Sequence, residues 1–338
     1  MTAKQLISGT EKGYNKNILD TEWNSTDFKT LDNFTKNIYH FSAAKNYQEL
    51  KDISEALRDG SHIRTFDEFK DIVQDITGKY NENWLRSEYN QAVAASQASS
   101  KWNDILANKE DMPYLQYEAV MDSNTREGHA LLNGIIKRYD DPFWDIYMPP
   151  NDFGCRCEAN QLSGDNYTET LDKDIIAPDI PEMFQLNFGK ESIIFPETHP
   201  YYIDIPDKAW KVLDIDTKSS VNRYYDKVVM EWAKEKVGDK PFSIELKNFV
   251  SGKLEVSMSD VREIINHASG SNKILAKECL EILPELKLLK KDVKLEHESK
   301  FHHFNYYSLK IGKDEYNVNV GVFKSGQEKL YAITKKRA

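Results

Sequence analysis

Residues 140–157 read DDPFWDIYMPPNDFGCRC and end on two of the three cysteines of the chain, Cys155 and Cys157. In an extended segment, residues i and i+2 point to the same side, so both sulfurs can approach one spot. A disulfide between the two is disfavoured, because so short a loop strains disulfide geometry. The spacing therefore indicates a partner that the two sulfurs share.

The stretch MDSNTREGHALLNG at 121–134 predicts a turn and a short helix, with Asn124 as the N-cap. Asp122 then lies just before the helix and His129 on its second turn. With the cysteine pair they make four donors of types that zinc accepts in tetrahedral geometry. In the alternative interpretation the cysteines are small buried side chains, Asp122 pairs with Arg126 or Arg156, and His129 binds a backbone carbonyl.

The composition favours a multidomain protein of a reducing compartment. A length of 338 residues favours two domains and leaves room for a small helical appendage. The first residues contain no apolar signal-peptide core, and no apolar run approaches the roughly 18 residues of a membrane span. Three cysteines do not make a disulfide framework. We therefore expect a soluble, cytoplasmic protein without membrane partners.

Charge is spread unevenly along the chain. The net charge is −10, yet residues 251–338 contain 16 Lys and Arg against 12 Asp and Glu, a balance of +4 that leaves −14 for residues 1–250. Half of the eight histidines also lie in this last part. The acidic total argues against a protein that coats nucleic acid, and the basic end indicates a separate domain.

Hydrophobic periodicity predicts a mainly helical first domain at 1–162. Thr65 and Glu68 form a capping-box pattern before an apolar stripe, and a second helix is expected from about Glu82 to Leu106. Trp84 and Trp102 are expected to pack in the core.

Prolines and aromatic residues predict an extended connector at 163–218. The expected packing residues of this connector are Phe184, Phe188, Phe195 and Tyr201. A further helix is expected from Ser219 to Val237.

The last domain, at 219–338, is predicted to be α+β, with helices packed on an antiparallel sheet. Ser259 can cap a helix with apolar residues at helical spacing, and a second helix is expected to stop at Pro284. The stretches FHHFNYYSLKI, YNVNVGVF and KLYAIT predict a three-stranded meander.

The motif D-S-N-T-R-x-x-H-x-x-L-N-G, followed by D-D-P-F-W-D and P-P-N-D-F-G-C-R-C, resembles the signature of the phage Mu F-like head morphogenesis proteins. These are minor capsid proteins of tailed phages and prophages. The resemblance is dense from about Tyr114 to Leu162. It implies that Asp122, His129, Cys155 and Cys157 match the characteristic Asp, His and C-x-C of the family.

A zinc ion held by four protein ligands would have no open coordination position and would be structural. The resemblance thus implies a rigid adaptor that works with phage portal and capsid proteins and is associated with the virion head.

The basic C-terminal part suggests a different chemistry. Metal-free RNA cleavage needs a base for the 2′-hydroxyl proton, an acid for the leaving oxygen and cations beside the phosphate. Histidine suits both proton roles near neutral pH. The candidate catalytic residues are His267, His302, His303, Tyr331 and Thr334, with Lys277 and Lys310 for RNA phosphates. Alternation along the first strand predicts that His302 and His303 face opposite sides of the sheet.

The order of His267, a helix ending in ECLEILPEL and the meander resembles the barnase, EndoU, colicin and RelE-like nuclease domains fused to phage head proteins. The resemblance covers about Phe242 to Lys336 and implies an RNase toxin that needs no catalytic cofactor and has a possible immunity protein. Alternatively, His303 is a packed residue, the lysines between Lys287 and Lys300 form a solvated face, and the domain only binds nucleic acid or a partner. ADP-ribosyl transfer ranks last, because its nicotinamide-clamping pattern is not evident.

Overall fold

The computed structural model describes residues 2–164, 166–238, 240–294 and 300–336, apart from the side chain at position 242. Its contacts divide the chain into two compact units. The first comprises the residues up to Thr21 together with Thr26–Thr217, and the second comprises Glu22–Ser25 together with the residues from Lys218 onwards. Within the described ranges, no helix has both the length and the apolar character needed to cross a membrane.

The first unit is built mainly from helices, as the periodicity predicts. In chain order its elements are α1 (Thr2–Tyr14), α2 (Thr26–Ala56), β1 (Arg58–Asp59), β2 (His62–Ile63), α3 (Phe66–Gly78), α4 (Leu85–Ala107), β3 (Tyr114–Glu118), α5 (Glu127–Leu131), β4 (Ile136–Arg138), α6 (Phe143–Ile146), β5 (Glu158–Leu162) and α7 (Phe188–Glu191). A π-helical turn at Lys79–Trp84 joins α3 to α4. The capping box of Thr65 and Glu68 is present at the start of α3.

A small antiparallel sheet of order β4-β3-β5 carries the motif region. Leu115 and Tyr117 of β3 are fully buried, and they pack in a cluster with Trp102 of α4 and Trp144 of α6. Trp102 therefore has the core role expected from the sequence. Burying side chains of this size supplies most of the apolar driving force that holds α4 against the sheet.

The proline-rich connector is part of the first unit. Its predicted packing residues Phe184, Phe188, Phe195 and Tyr201 are all buried. Its last part, however, is helical, because α8 spans Asp207–Val237 and begins twelve residues before the predicted Ser219. Pro206 accounts for this start: it lacks an N–H, and its carbonyl accepts the backbone N–H groups of Ala209 and Trp210.

The second unit has the predicted α+β arrangement. Its elements are β6 (Phe242–Glu245), β7 (Lys253–Val256), α9 (Met258–Asn266), α10 (Leu275–Glu281), β8 (Lys287–Val293), β9 (His303–Ile311), β10 (Asp314–Val322) and β11 (Glu328–Lys335). The predicted meander forms strands β9 to β11 of a sheet with the order β11-β10-β9-β8. Strand β8 was missed, and α9 is capped by Ser257 instead of Ser259.

A buried polar cluster joins α2, α4 and the connector within the first unit. Lys45 lies 2.5 Å from Glu88, and both side chains are about 2–3 % exposed. Tyr201 donates a hydrogen bond to Glu88, and the buried His199 accepts one from the backbone of Tyr201. A buried ion pair of this kind needs such additional hydrogen bonds, since both charges have lost their water.

His199 is expected to make the first unit less stable as the pH falls. Burial, with a smaller effect from the charge of Lys45, lowers the pKa of His199 from 6.5 to about 4. Between these values the unfolded chain binds a proton that the folded chain does not bind, so stability falls as the pH decreases from 6.5 towards 4. The loss should approach roughly 3 kcal/mol at the lower limit.

Denaturant unfolding at several pH values between 7 and 4 measures this loss. The variant His199→Gln keeps an acceptor for the Tyr201 amide but does not titrate, so its stability should change less over the same range. His62→Gln, at an exposed position, serves as the control. Equal pH dependence in the wild type and His199→Gln would contradict the assignment.

Candidate metal centre

The imidazole of His129 and the two sulfurs of the C-x-C motif meet at one point of the first unit. His129 is carried by α5 and is 4 % exposed, while Cys155 and Cys157 lie in the extended segment just before β5. A turn precedes the cysteines: Gly154 has a φ of +69°, and the Cys155 amide donates to the carbonyl of Asp152. Glycine suits this turn because it adopts positive φ without strain.

The distances match those between ligands of a tetrahedral zinc ion. The three ligand atoms lie within 4.8 Å of one another. Nδ1 of His129 is 3.6 Å from the sulfur of Cys155 and 3.7 Å from that of Cys157. Bond lengths of about 2.3 Å to sulfur and 2.0–2.1 Å to nitrogen, at a tetrahedral angle, require a separation of roughly 3.6 Å. The two nitrogen–sulfur separations therefore match those of a tetrahedral zinc ion.

Each of the two thiols shifts the pKa of the other. Hydrogen bonding from Cys157 and, to a lesser degree, from His129 lowers the pKa of Cys155 despite its burial. The same contact, together with burial, raises the pKa of Cys157. Thiolates are the form of cysteine that ligates metals, so contacts that lower the pKa of Cys155 favour a bound cation. The buried Tyr117 supports the site from β3, with its hydroxyl donating to Asn151.

Asp122, the fourth predicted ligand, is engaged elsewhere. Its two oxygens accept hydrogen bonds from Arg156 at 2.6 and 2.7 Å, and this arginine holds the pKa of the carboxyl group below its usual range. Arg126 makes a second bridge to Asp152 at 2.8 Å. Both pairs tie the turn before α5 to the cysteine segment. Of the two arginines that the sequence offers to Asp122, Arg126 and Arg156, the structure pairs it with Arg156.

A cleft of about 480 Å³ opens beside the sulfurs. Cys155 and Cys157 line it together with Lys101 and Gln97 of α4 and with Pro149 and Pro150, whose peptide bond is cis. The two thiols are half-buried, whereas the imidazole is buried. A fourth ligand could therefore approach from the side of the cleft.

In the second unit, the predicted catalytic residues form two pairs. The His267 ring, at the end of α9, packs on the ring of Tyr331 with centroids 4.2 Å apart. His302 and His303 lie with their Nδ1 atoms 3.0 Å apart. The prediction that these two face opposite sides is wrong, because β9 begins only at His303 and alternation does not extend to His302.

An aromatic cluster surrounds the first pair. The rings of Phe301 and Phe304, which flank the two adjacent histidines in sequence, both contact Tyr331. His303 also lies 3.3 Å from Asp292. His267 and Tyr331 therefore belong to this group of rings, whereas His303 contacts His302 and Asp292.

The remaining predicted residues lie in different surroundings. Lys277 is only 12 % exposed and contacts the carboxylates of Glu278 and Glu281. Lys310 and Thr334 are exposed on β9 and β11. Sequence reasoning missed Glu263, which lies one helical turn before His267 at a distance of 3.6 Å. The i, i+4 spacing of these two residues was the available signal.

Comparisons with known proteins agree with the motif. Residues 48–160 match the family described as Phage Mu protein F like protein. The Mu-like prophage FluMu F protein of Haemophilus influenzae is 45 % identical over 65 residues, which cover 19 % of this chain and 16 % of that protein. A protein of Escherichia phage Mu named as capsid assembly protein F is 35 % identical over 100 residues, 28 % of this chain and 23 % of the relative.

The matched stretches thus span less than a quarter of each of these relatives. A third protein, again from Haemophilus influenzae, is 24 % identical over 210 residues, 54 % of this chain and 46 % of its own length. No solved structure matches the chain significantly. These findings support a Phage Mu F-like domain in the first unit, and the candidate metal centre lies within or close to the matched residues 48–160.

Proposed function

We propose that the chain is a prophage-type head morphogenesis protein whose Mu F-like domain is braced by a structural zinc ion. The observation that carries this proposal is the convergence of His129, Cys155 and Cys157, with the spacing that tetrahedral zinc requires, in the region similar to the Mu F proteins. Zinc would supply a cross-link between α5 and the segment before β5, two elements joined by a long stretch of chain.

Asp122 is the proposed fourth ligand, and its pairing with Arg156 makes the proposal testable. The variant Asp122→Ala should lose zinc if the carboxylate exchanges Arg156 for the metal. Retention of one zinc equivalent would assign the fourth position to another donor. Zinc content is measured by elemental analysis of the purified chain, with His62→Ala as the matched control at an exposed histidine.

The proposed partners are phage portal and capsid proteins, and the proposed location is the virion head within a bacterial host. This part of the proposal rests on the name of the phage Mu relative, which describes it as a capsid assembly protein. The test is to produce heads from the prophage that encodes the chain and to probe purified heads with an antibody. Heads should contain the chain, and Cys155→Ala should reduce its incorporation. Heads that assemble normally without the chain would contradict the proposal.

We propose, as a second function, that the C-terminal unit cleaves RNA. The observations that favour this function are the packing of His267 on Tyr331 and the contact between His302 and His303 in the same unit. One imidazole would take the 2′-hydroxyl proton as the 2′-oxygen attacks phosphorus, and a second would protonate the departing 5′-oxygen. The products are a 2′,3′-cyclic phosphate and a 5′-hydroxyl.

Incubation of the full chain with RNA in EDTA tests this second function. Wild-type chain should give cyclic-phosphate ends, and His267→Ala should reduce the rate by roughly a hundredfold or more. His62→Ala should leave the rate unchanged. RNA that stays intact with the wild type would favour the alternative, a unit that only binds nucleic acid or a partner. Detectable toxicity on expression would also indicate the need for an immunity protein.

A further inference from the structure

Two charged residues, Glu263 and Lys300, lie beside His267 and Tyr331 in the second unit. Neither of them is among the site residues predicted from the sequence. Glu263 accepts a hydrogen bond from Lys300 at 3.0 Å and lies 3.6 Å from Nε2 of His267. The ammonium group of Lys300 lies 5.9 Å from the centre of the Tyr331 ring. One carboxylate therefore contacts both a lysine and an imidazole that lie beside one aromatic ring.

Lys300 is better suited to bind a phosphate than Lys277. The side chain of Lys300 is 52 % exposed, and among the described residues its carboxylate partner is Glu263, in an ion pair near the surface that contributes little stability and exchanges readily. Lys277 is 12 % exposed and is held by two carboxylates, at 3.0 and 3.1 Å. A phosphate at Lys277 would have to displace both of them, whereas at Lys300 it replaces Glu263, its one partner among the described residues.

The neighbouring rings suit a nucleobase. Tyr331 is half-buried and makes contact with His267 on an exposed part of the surface, where the imidazole is 37 % exposed. Nucleobases of single-stranded RNA stack on aromatic side chains, and lysines beside such rings bind the phosphates of the RNA backbone. Lys329 adds a second cation. Its ammonium group donates a hydrogen bond at 3.0 Å to Ser259 of α9, the helix that also carries Glu263.

We infer that Lys300 is a phosphate-binding residue of a single-stranded RNA subsite built on Tyr331, and that Glu263 is the positioning residue that holds Lys300 and His267 beside it. The inference deepens the proposed RNA-cleaving function and rests on it for the role of His267. Binding by Lys300, however, does not require that the RNA be cleaved.

Binding of the full chain to a 2′-O-methyl oligonucleotide, which has no 2′-hydroxyl to react, tests the subsite without catalysis. For single strands, each phosphate contact contributes about 0.7 to the slope of log K against log salt concentration. The slope for Lys300→Ala should therefore be smaller by about 0.7 than that of the wild type, while Lys277→Ala should keep the wild-type slope. An unchanged slope for Lys300→Ala, or no binding by the wild type, would overturn the inference.

A second measurement addresses Glu263. Cleavage of unmodified RNA by Glu263→Gln should show a kcat reduced by roughly tenfold with KM changed little, because the amide holds Lys300 and His267 in place less well than the carboxylate does. An unaltered kcat would overturn the positioning role. If the wild type binds the uncleavable strand but leaves RNA intact, the RNA-cleaving function fails, and the salt slopes still decide the role of Lys300.

Discussion

Substitution of Cys155 with alanine is expected to remove bound zinc and to lower the melting temperature of the first unit by about 8–16 °C. Free zinc at about a thousand times its dissociation constant stabilises a protein by about 4 kcal/mol. For a unit of this size, each kcal/mol corresponds to about 2–4 °C. His129→Ala should have a similar effect, because the imidazole lies 3.6–3.7 Å from both sulfurs.

Calorimetry of the zinc-loaded and chelator-treated chain measures this effect. His62→Ala is the matched control, since His62 is exposed on β2. The chelator should lower the melting temperature of the wild type and of this control but not that of Cys155→Ala. A wild-type melting temperature that does not respond to the chelator would mean that the cysteine pair and His129 act only as buried side chains.

The second large effect is expected at the buried ion pair of the first unit. Lys45→Ala leaves the carboxylate of Glu88 in the core with Tyr201 as its remaining hydrogen-bond donor. Removing one partner of a buried pair destabilises a protein by about 3–5 kcal/mol. Burial already raises the pKa of Glu88 and lowers the pKa of Lys45, so each charge depends on the other. Denaturant unfolding measures the loss.

Two further variants make this result specific. Lys36→Ala removes a lysine that is 51 % exposed and paired with Asp32, and it should cost less than about 1 kcal/mol. The double variant Lys45→Met with Glu88→Gln removes both charges and keeps an acceptor for Tyr201, so it should recover most of the lost stability. If Lys45→Ala lowers the free energy of unfolding by no more than Lys36→Ala does, the account is contradicted.

The sequence predicted the elements in which burial follows a regular period. Val261, Ile264 and Ile265 of α9 are all buried, as the helical spacing predicts. Strand β8 was not predictable in this way, because it lies at the edge of its sheet and nearly all its residues are exposed. An edge strand that buries neither face has no alternation to detect.

The part of the site that follows from the direction of side chains along an extended segment was predictable from the sequence. Cys155 and Cys157 can reach one point because they are two residues apart, and the turn before α5 places His129 beside them. The predicted N-cap at Asn124 is wrong, since Arg126 is the N-cap of α5 and makes no side-chain capping bond. Arg156, between the cysteines, reaches Asp122. The sequence offers both Arg156 and the metal centre as partners for Asp122, and only the three-dimensional positions distinguish them.

The most direct test is X-ray absorption at the zinc edge of the purified full chain. The account predicts one zinc per chain, with two sulfur neighbours at about 2.3 Å and at least one imidazole nitrogen at about 2.0–2.1 Å. Zinc that is absent from the folded chain, or that is surrounded by oxygen and nitrogen alone, would contradict a brace formed by His129, Cys155 and Cys157.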